Sequence, residues 1–220
     1  MNAPIKVLLV DDHPVVRTGY RHLLQTDADI EVIGEAHDSV SAYEAFKLLG
    51  PDVVVMDISL PGASGIEALK RIRAHEAEAC VLIFSMHDEA IFISRAMRCG
   101  AAGYLSKSSA PEKLLDAVRA VARGERYFAD GQDAAGEREA DRPAATALLG
   151  ELSHRETEVL RMWAQGLGLE EIARRLGVSE KTVANYQSLV RQKLNVQNDV
   201  QLLRLATKIW FEGAEEAVRS

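Results

Sequence analysis

Three short apolar runs constrain this chain most: "IKVLLV" at residues 5 to 10, "DVVVM" at 52 to 56 and "CVLIF" at 80 to 84. A strand that is apolar on both sides must be covered on both, the environment of a central strand in a parallel sheet sandwiched by helices. Two further runs, "IEVIGEA" at 30 to 36 and "AGYL" at 102 to 105, complete a set of five. Helical patterns alternate with them near 14 to 25, 39 to 49, 65 to 74, 89 to 99 and 111 to 123, the last opened by Pro111 and stopped by Gly124. This alternation predicts an α/β domain over residues 1 to 125, a doubly wound five-stranded parallel sheet.

Residues 126 to 150, "RYFADGQDAAGEREADRPAATALLG", carry no sustained apolar period and read as a linker. Beyond them the pattern is helical from 151 to about 213, with 214 to 220 as a tail. Ser153 and Glu156 open that region at capping-box spacing. A small all-α domain is expected there.

The formal net charge of −7 is unevenly spread. Residues 151 to 220 hold ten basic and ten acidic side chains, so the acidic excess lies wholly in the first 150. Two modules with different jobs are implied. No stretch approaches the roughly 18 to 20 consecutive apolar residues of a membrane span, and the apolar run in "MNAPIKVLLVDD" is too short for a signal peptide. A cytoplasmic location without membrane partners is expected. Cys80 and Cys99 read as reduced structural thiols, and the six histidines show no metal-ligand spacing.

The ends of the strands carry the chemistry. The first strand delivers Asp11 and Asp12, the third Asp57, the fourth Ser85, and the fifth leads to Lys107. In an open α/β sheet the carboxyl edge of the strands is where ligands bind. Three carboxylates crowded there repel one another unless a cation neutralises them, and an all-oxygen cluster with room for water suits Mg2+. A hydroxyl and an ammonium at the same edge describe a site for an anion with three oxygens.

With "DD" at 11 and 12, "DISLPGASG" holding Asp57, Pro61 and Gly65, "FSMHD" holding Ser85, and "GYLSK" holding Tyr104 and Lys107, residues 1 to about 124 resemble the receiver domain of a two-component response regulator. The resemblance implies a flavodoxin-like fold and a histidine kinase as partner. It makes Asp57 the phosphoryl acceptor, with Asp11, Asp12, Asp57 and the backbone carbonyl of Ser59 as Mg2+ ligands. Lys107 would balance phosphoryl charge, Ser85 would bond a phosphoryl oxygen, and Tyr104 would switch position with Ser85. Two departures from the common pattern stand beside the site: Met86 follows Ser85 where many receivers carry a smaller residue, and Ser108 follows Lys107 where many have proline.

In the helical region, "LEEIARRLGVSEKTVANYQSLVRQKL" places Ala173, Gly177 and Val183 at the spacing of a helix-turn-helix, with Ser179 as the cap of the second helix. From Arg174 to Lys193 the basic residues Arg174, Arg175, Lys181, Arg191 and Lys193 face a single acid, Glu180, as expected of phosphate contacts. Lys181, Ala184, Asn185 and Ser188 are the expected base readers. Through "LSHRETEVL", "EEIARRLGVSEKTV" and "KLNV", residues 152 to 206 resemble the LuxR-type helix-turn-helix of the NarL/FixJ response regulators, although Tyr186 stands where that family most often has histidine. That resemblance implies a homodimer on an inverted repeat in double-stranded DNA.

The expected function is phosphorylation-controlled transcription regulation. Three rivals differ from it. An aspartate-nucleophile phosphatase usually needs an acid two residues after the nucleophile, where this chain has Ser59. A pseudo-receiver regulator would act without phosphorylation, against the full set Asp12, Asp57, Ser85 and Lys107. A quorum-sensing LuxR protein has no reason to place these carboxylates.

Overall fold

Strand formation follows the apolar runs. The computed structural model describes residues 3–61, 63–88, 90–128, 152–194, 196 and 198–207. Its strands are β1 (Ile5–Val10), β2 (Ile30–Ala36), β3 (Val53–Met56), β4 (Val81–Ser85), β5 (Gly103–Ser106) and β6 (Tyr127–Phe128). They form one sheet in the order β2-β1-β3-β4-β5-β6, with every pair parallel. Between them run α1 (Pro14–Leu24), α2 (Ser39–Leu49), α3 (Gly65–His75), α4 (Ala90–Arg98) and α5 (Pro111–Ala122).

The sheet therefore has six strands where five were expected. Two residues are too few to show a period, and Tyr127 and Phe128 lie at the start of the segment read as a linker. Gly103 explains why they can pair with β5: a Cβ there would lie 2.6 Å from the carbonyl oxygen of Tyr127. Residues 129 to 150 of that linker lie outside the described residues, as do the end of the helical domain from 208 and the tail from 214 to 220.

Alternate residues of β1, β3, β4 and β5 bury into opposite layers. Val7, Leu9, Val53, Val55, Leu82, Phe84 and Leu105 share one core with Leu24 of α1 and with Leu114, Val118 and Val121 of α5. Their neighbours Leu8, Val10, Val54, Met56 and Ile83 are equally buried on the other face. This double burial is why the strands read as continuous apolar runs rather than as alternating ones. Helix α2 begins where Asp38 accepts hydrogen bonds from the backbone N–H groups of Val40 and Ser41, and stops at Gly50 in the left-handed conformation (φ 55°).

The chain divides into two compact units, Met1–Asp141 and Arg142–Ser220. The second contains α6 (His154–Ala164), α7 (Leu169–Leu176), α8 (Glu180–Lys193) and α9 (Asp199–Thr207). Ser153 and Glu156 form the expected capping box, each side chain bonding the other's backbone N–H. Gly177 at φ 65° ends α7, and Ser179 accepts the Thr182 N–H to start α8. Val159, Met162, Ile172, Ala173 and Val183 make the core that α6, α7 and α8 share.

Candidate functional site

The strand order reverses between β1 and β3, and in this kind of sheet that crevice is the ligand site. Val10 pairs with Met56, so the next residues, Asp11 and Asp57, emerge side by side. The Asp57 N–H donates to Val10 O at 2.9 Å, and that of Asp11 to Ala36 O at 3.1 Å. Both acids are buried.

Lys107 stands between them. Its N–H donates to Ser85 O at 2.8 Å, which hangs the β5–α5 loop on the end of β4. Its ammonium donates to Asp11 Oδ2 at 2.5 Å and to Asp57 Oδ2 at 2.6 Å, with only 6% of the side chain exposed. Burial pushes the Lys107 pKa down, and the carboxylates of Asp57 and Asp11 outweigh that effect and hold it above the usual lysine value. The group is a fixed cation.

The remaining carboxylate oxygens are aimed by the backbone. Asp57 Oδ1 accepts the Ser59 N–H at 3.1 Å, and Asp11 Oδ1 accepts the His13 N–H at 2.8 Å. Asp12 Oδ1 is buried and accepts no hydrogen bond, although His13 Nδ1 lies 2.7 Å away without the alignment of one. Ligand atoms of Asp11, Asp12, His13 and Asp57 all lie within 4.8 Å of one another. An orphaned buried oxygen in a set of three carboxylates fits a hard divalent cation. His13 belongs to this group although histidine spacing gave no sign of it; its adjacency to the acidic pair was the signal.

Gly65 lets α3 start against the acceptor position. A Cβ there would lie 2.0 Å from the Asp57 carbonyl oxygen, and the Gly65 N–H donates to Ile58 O at 2.9 Å. Ser85 is fully buried, and its hydroxyl accepts the His87 N–H at 3.3 Å. Tyr104, also fully buried, donates its hydroxyl to His87 O at 2.5 Å, while the His87 ring meets Ser59 Oγ at 3.2 Å. Burial pushes the Tyr104 phenol far above its ordinary range, so it stays a donor. His87 thus links Ser59, Ser85 and Tyr104, and nothing in its spacing distinguishes it beforehand, because Ser59 and Tyr104 reach it from the neighbouring strands' segments of the chain. Met86 is 68% exposed beside this edge. Ser108 bonds locally, its hydroxyl 2.7 Å from Ser106 Oγ.

Elsewhere in this unit Cys80 and Cys99 are free, and burial raises both thiols. No helix among the described residues is long and apolar enough to cross a membrane.

On α8, Lys181, Ala184, Asn185 and Ser188 are all exposed at the i, i+3, i+4, i+7 spacing of a single face. The basic residues around them are not equivalent. Arg174 and Arg175 are exposed and paired with Glu171 on their own helix, at 3.7 Å and 2.8 Å. Arg191 pairs with Asp199 at 2.6 Å. Lys193 donates to Glu156 Oε2 at 2.7 Å, a carboxylate only 4% exposed that also accepts the Ser153 N–H. Its ammonium ties the end of α8 to the cap of α6, a structural role that a count of basic residues does not reveal.

Two family descriptions match the chain: the response regulator receiver domain over residues 7–119, and the luxR family of bacterial regulatory proteins over residues 150–206. Response regulator UvrY of Escherichia coli K12 is 37% identical over 214 residues, covering 96% of this chain and 97% of that protein. The nitrate/nitrite response regulator protein NarL of the same organism is 33% identical over 200 residues, covering 90% and 93%. Among solved structures, RcsB from Salmonella enterica serovar Typhimurium, bound to promoter rprA in the presence of phosphomimetic BeF3-, matches with a TM-score of 0.59 at 28% identity over 93% of this chain and 98% of that one. With a receiver followed by a luxR-family domain, in the order and over nearly the full length of these relatives, the chain belongs to the NarL/FixJ family of two-component response regulators and is a transcription regulator, not an enzyme.

Proposed function

We propose that Asp57 accepts a phosphoryl group from a histidine kinase and that this modification controls dimerisation and DNA binding by α8. The observation that carries the reading is the Lys107 ammonium held between Asp57 Oδ2 and Asp11 Oδ2 on adjacent strand ends. In the transfer, a carboxylate oxygen of Asp57 forms a bond to phosphorus as the phosphorus–nitrogen bond of the kinase phosphohistidine breaks. The electron pair leaves with the imidazole.

Asp11, Asp12, Asp57 and the Ser59 carbonyl are the residues that would hold Mg2+, which when bound cancels charge between the incoming phosphoryl oxygens and the carboxylates. Lys107 offers its ammonium to the phosphoryl oxygens. The Ser59 N–H already orients Asp57 Oδ1, leaving Oδ2 on the lysine side. The Ser85 hydroxyl, which at present accepts the His87 N–H, would donate its own proton to a phosphoryl oxygen, and Tyr104, hydrogen-bonded to the carbonyl of the same His87, would report that change.

Arg174, Arg175 and Arg191 would meet DNA phosphates, while Lys181, Ala184, Asn185 and Ser188 would read base edges of an inverted repeat as a homodimer. RcsB, the neighbour solved on a promoter with a phosphomimetic, supports pairing the two activities. A chain that meets both a kinase and the chromosome works in the cytoplasm. The test is intact mass after incubation with Mg2+ and a phosphorylated histidine kinase domain. One phosphoryl adduct on the wild type and none on Asp57→Ala is expected; an adduct on both would move the acceptor elsewhere, and none on folded wild type would favour a phosphorylation-independent regulator.

A further inference from the structure

The backbone of the acidic pair is gripped from outside the cluster. Arg17, in the first turn of α1, donates from Nη1 to Asp11 O at 2.6 Å and from Nε to Glu35 Oε2 at 2.8 Å. Glu35 lies in β2 opposite Leu9, and its other oxygen accepts Arg21 Nη1 at 3.1 Å. The Arg17 side chain is 17% exposed, so one planar guanidinium bridges the β1–α1 turn and the neighbouring strand under cover.

Peptide geometry turns that bond into control of both acids. The Cα atoms of Asp11 and Asp12 lie in one rigid plane with the Asp11 carbonyl, so holding the oxygen sets the plane from which both side chains spring. Asp11 has other holds: its N–H on Ala36 O, and its carboxylate on the His13 N–H and Lys107. Asp12 Oδ1 has no hydrogen bond and only the exposed His13 ring beside it, at 2.7 Å, so its aim depends mostly on the backbone before it.

We infer that Arg17, oriented by Glu35, is a positioning residue that sets the divalent-cation affinity of the carboxylate cluster; this rests on reading that cluster as the Mg2+ site. Charge and positioning make opposite demands here. Arg17 is itself a cation, so its field alone opposes a dication nearby, and removing it should tighten binding. Losing its grip on the turn should weaken binding. Arg17→Lys keeps the charge but lacks the planar fork that reaches both acceptors.

The measurement is calorimetric titration of the full-length protein with MgCl2, for wild type, Arg17→Gln and Arg17→Lys, each with a thermal melt. Positioning predicts an affinity about tenfold or more weaker in Arg17→Gln, with weakening in Arg17→Lys as well. Equal or tighter binding by Arg17→Gln overturns the inference while leaving the cluster as the Mg2+ site, and so does a lowered Tm with unchanged Kd. Should Arg17→Gln not fold, the same comparison is made on Arg17→Lys. Absence of Mg2+ binding by the wild type overturns the inference and the reading beneath it together.

Discussion

Lys107 donates to two carboxylates that are as buried as it is, so removing it leaves both charges without their ammonium partner inside the protein. Breaking such a buried arrangement costs about 3–5 kcal/mol. Lys107→Met should therefore lower urea stability by roughly that amount in the absence of Mg2+, and added Mg2+ should restore part of it by binding the folded state alone. The pH dependence has a definite sign. The folded pKa of Lys107 lies above its unfolded value near 10.5, so its contribution is complete below that value and is lost as pH rises through the folded one. Wild type should lose stability in that alkaline window, and Lys107→Met should show a flatter profile there. An equally steep profile in the variant would assign the alkaline loss to other groups.

At the scale of elements, the start of α3 and the end of α8 set the geometry of the two sites. Gly65→Ala would drive a methyl into the Asp57 carbonyl oxygen, which is backbone and cannot rotate away. A loss of about 1–3 kcal/mol is expected from such overpacking, read by urea denaturation, together with slower phosphorylation of Asp57. Helix α8 separates two lysines that look alike in sequence. Lys181 is exposed and forms no hydrogen bond or ion pair with the described residues, whereas Lys193 serves the buried Glu156. Lys181→Ala should cost about 1–3 kcal/mol of DNA binding and relax the base preference at its position, with the melting temperature unchanged. Lys193→Ala should instead lower the melting temperature and leave DNA affinity and its salt slope alone; an unchanged melting temperature with a reduced slope would restore Lys193 as a phosphate contact.

For the whole molecule, the proposal is a coupling free energy between Asp57 and the surface of α8. Couplings of this kind amount to about 1–3 kcal/mol, or roughly 5–150-fold in affinity. Fluorescence anisotropy on an inverted-repeat promoter fragment, at one fixed salt concentration, should show that much tightening on phosphorylation of the wild type and none for Asp57→Asn. Sedimentation of the same samples should show the dimer appearing with the phosphoryl group. Identical affinities with and without phosphorylation would separate the two domains functionally.

The strands β1 to β5, the helices between them and the capping box at Ser153 were legible in the sequence, because burial on both faces and 3.6-residue periodicity are written locally. So were Asp11, Asp12, Asp57, Ser85 and Lys107, since a parallel sheet brings every strand's carboxyl end to one edge. What only the tertiary structure decided are contacts between residues far apart in the chain. Strand β6 exists because Gly103 admits a backbone about two dozen residues later. His87 joins Ser59 to Tyr104, Arg17 joins Glu35 to Asp11, and Lys193 turns inward to Glu156. Periodicity reports which face of an element is buried, but a hydrogen-bond partner is chosen in three dimensions, where chain separation carries no information.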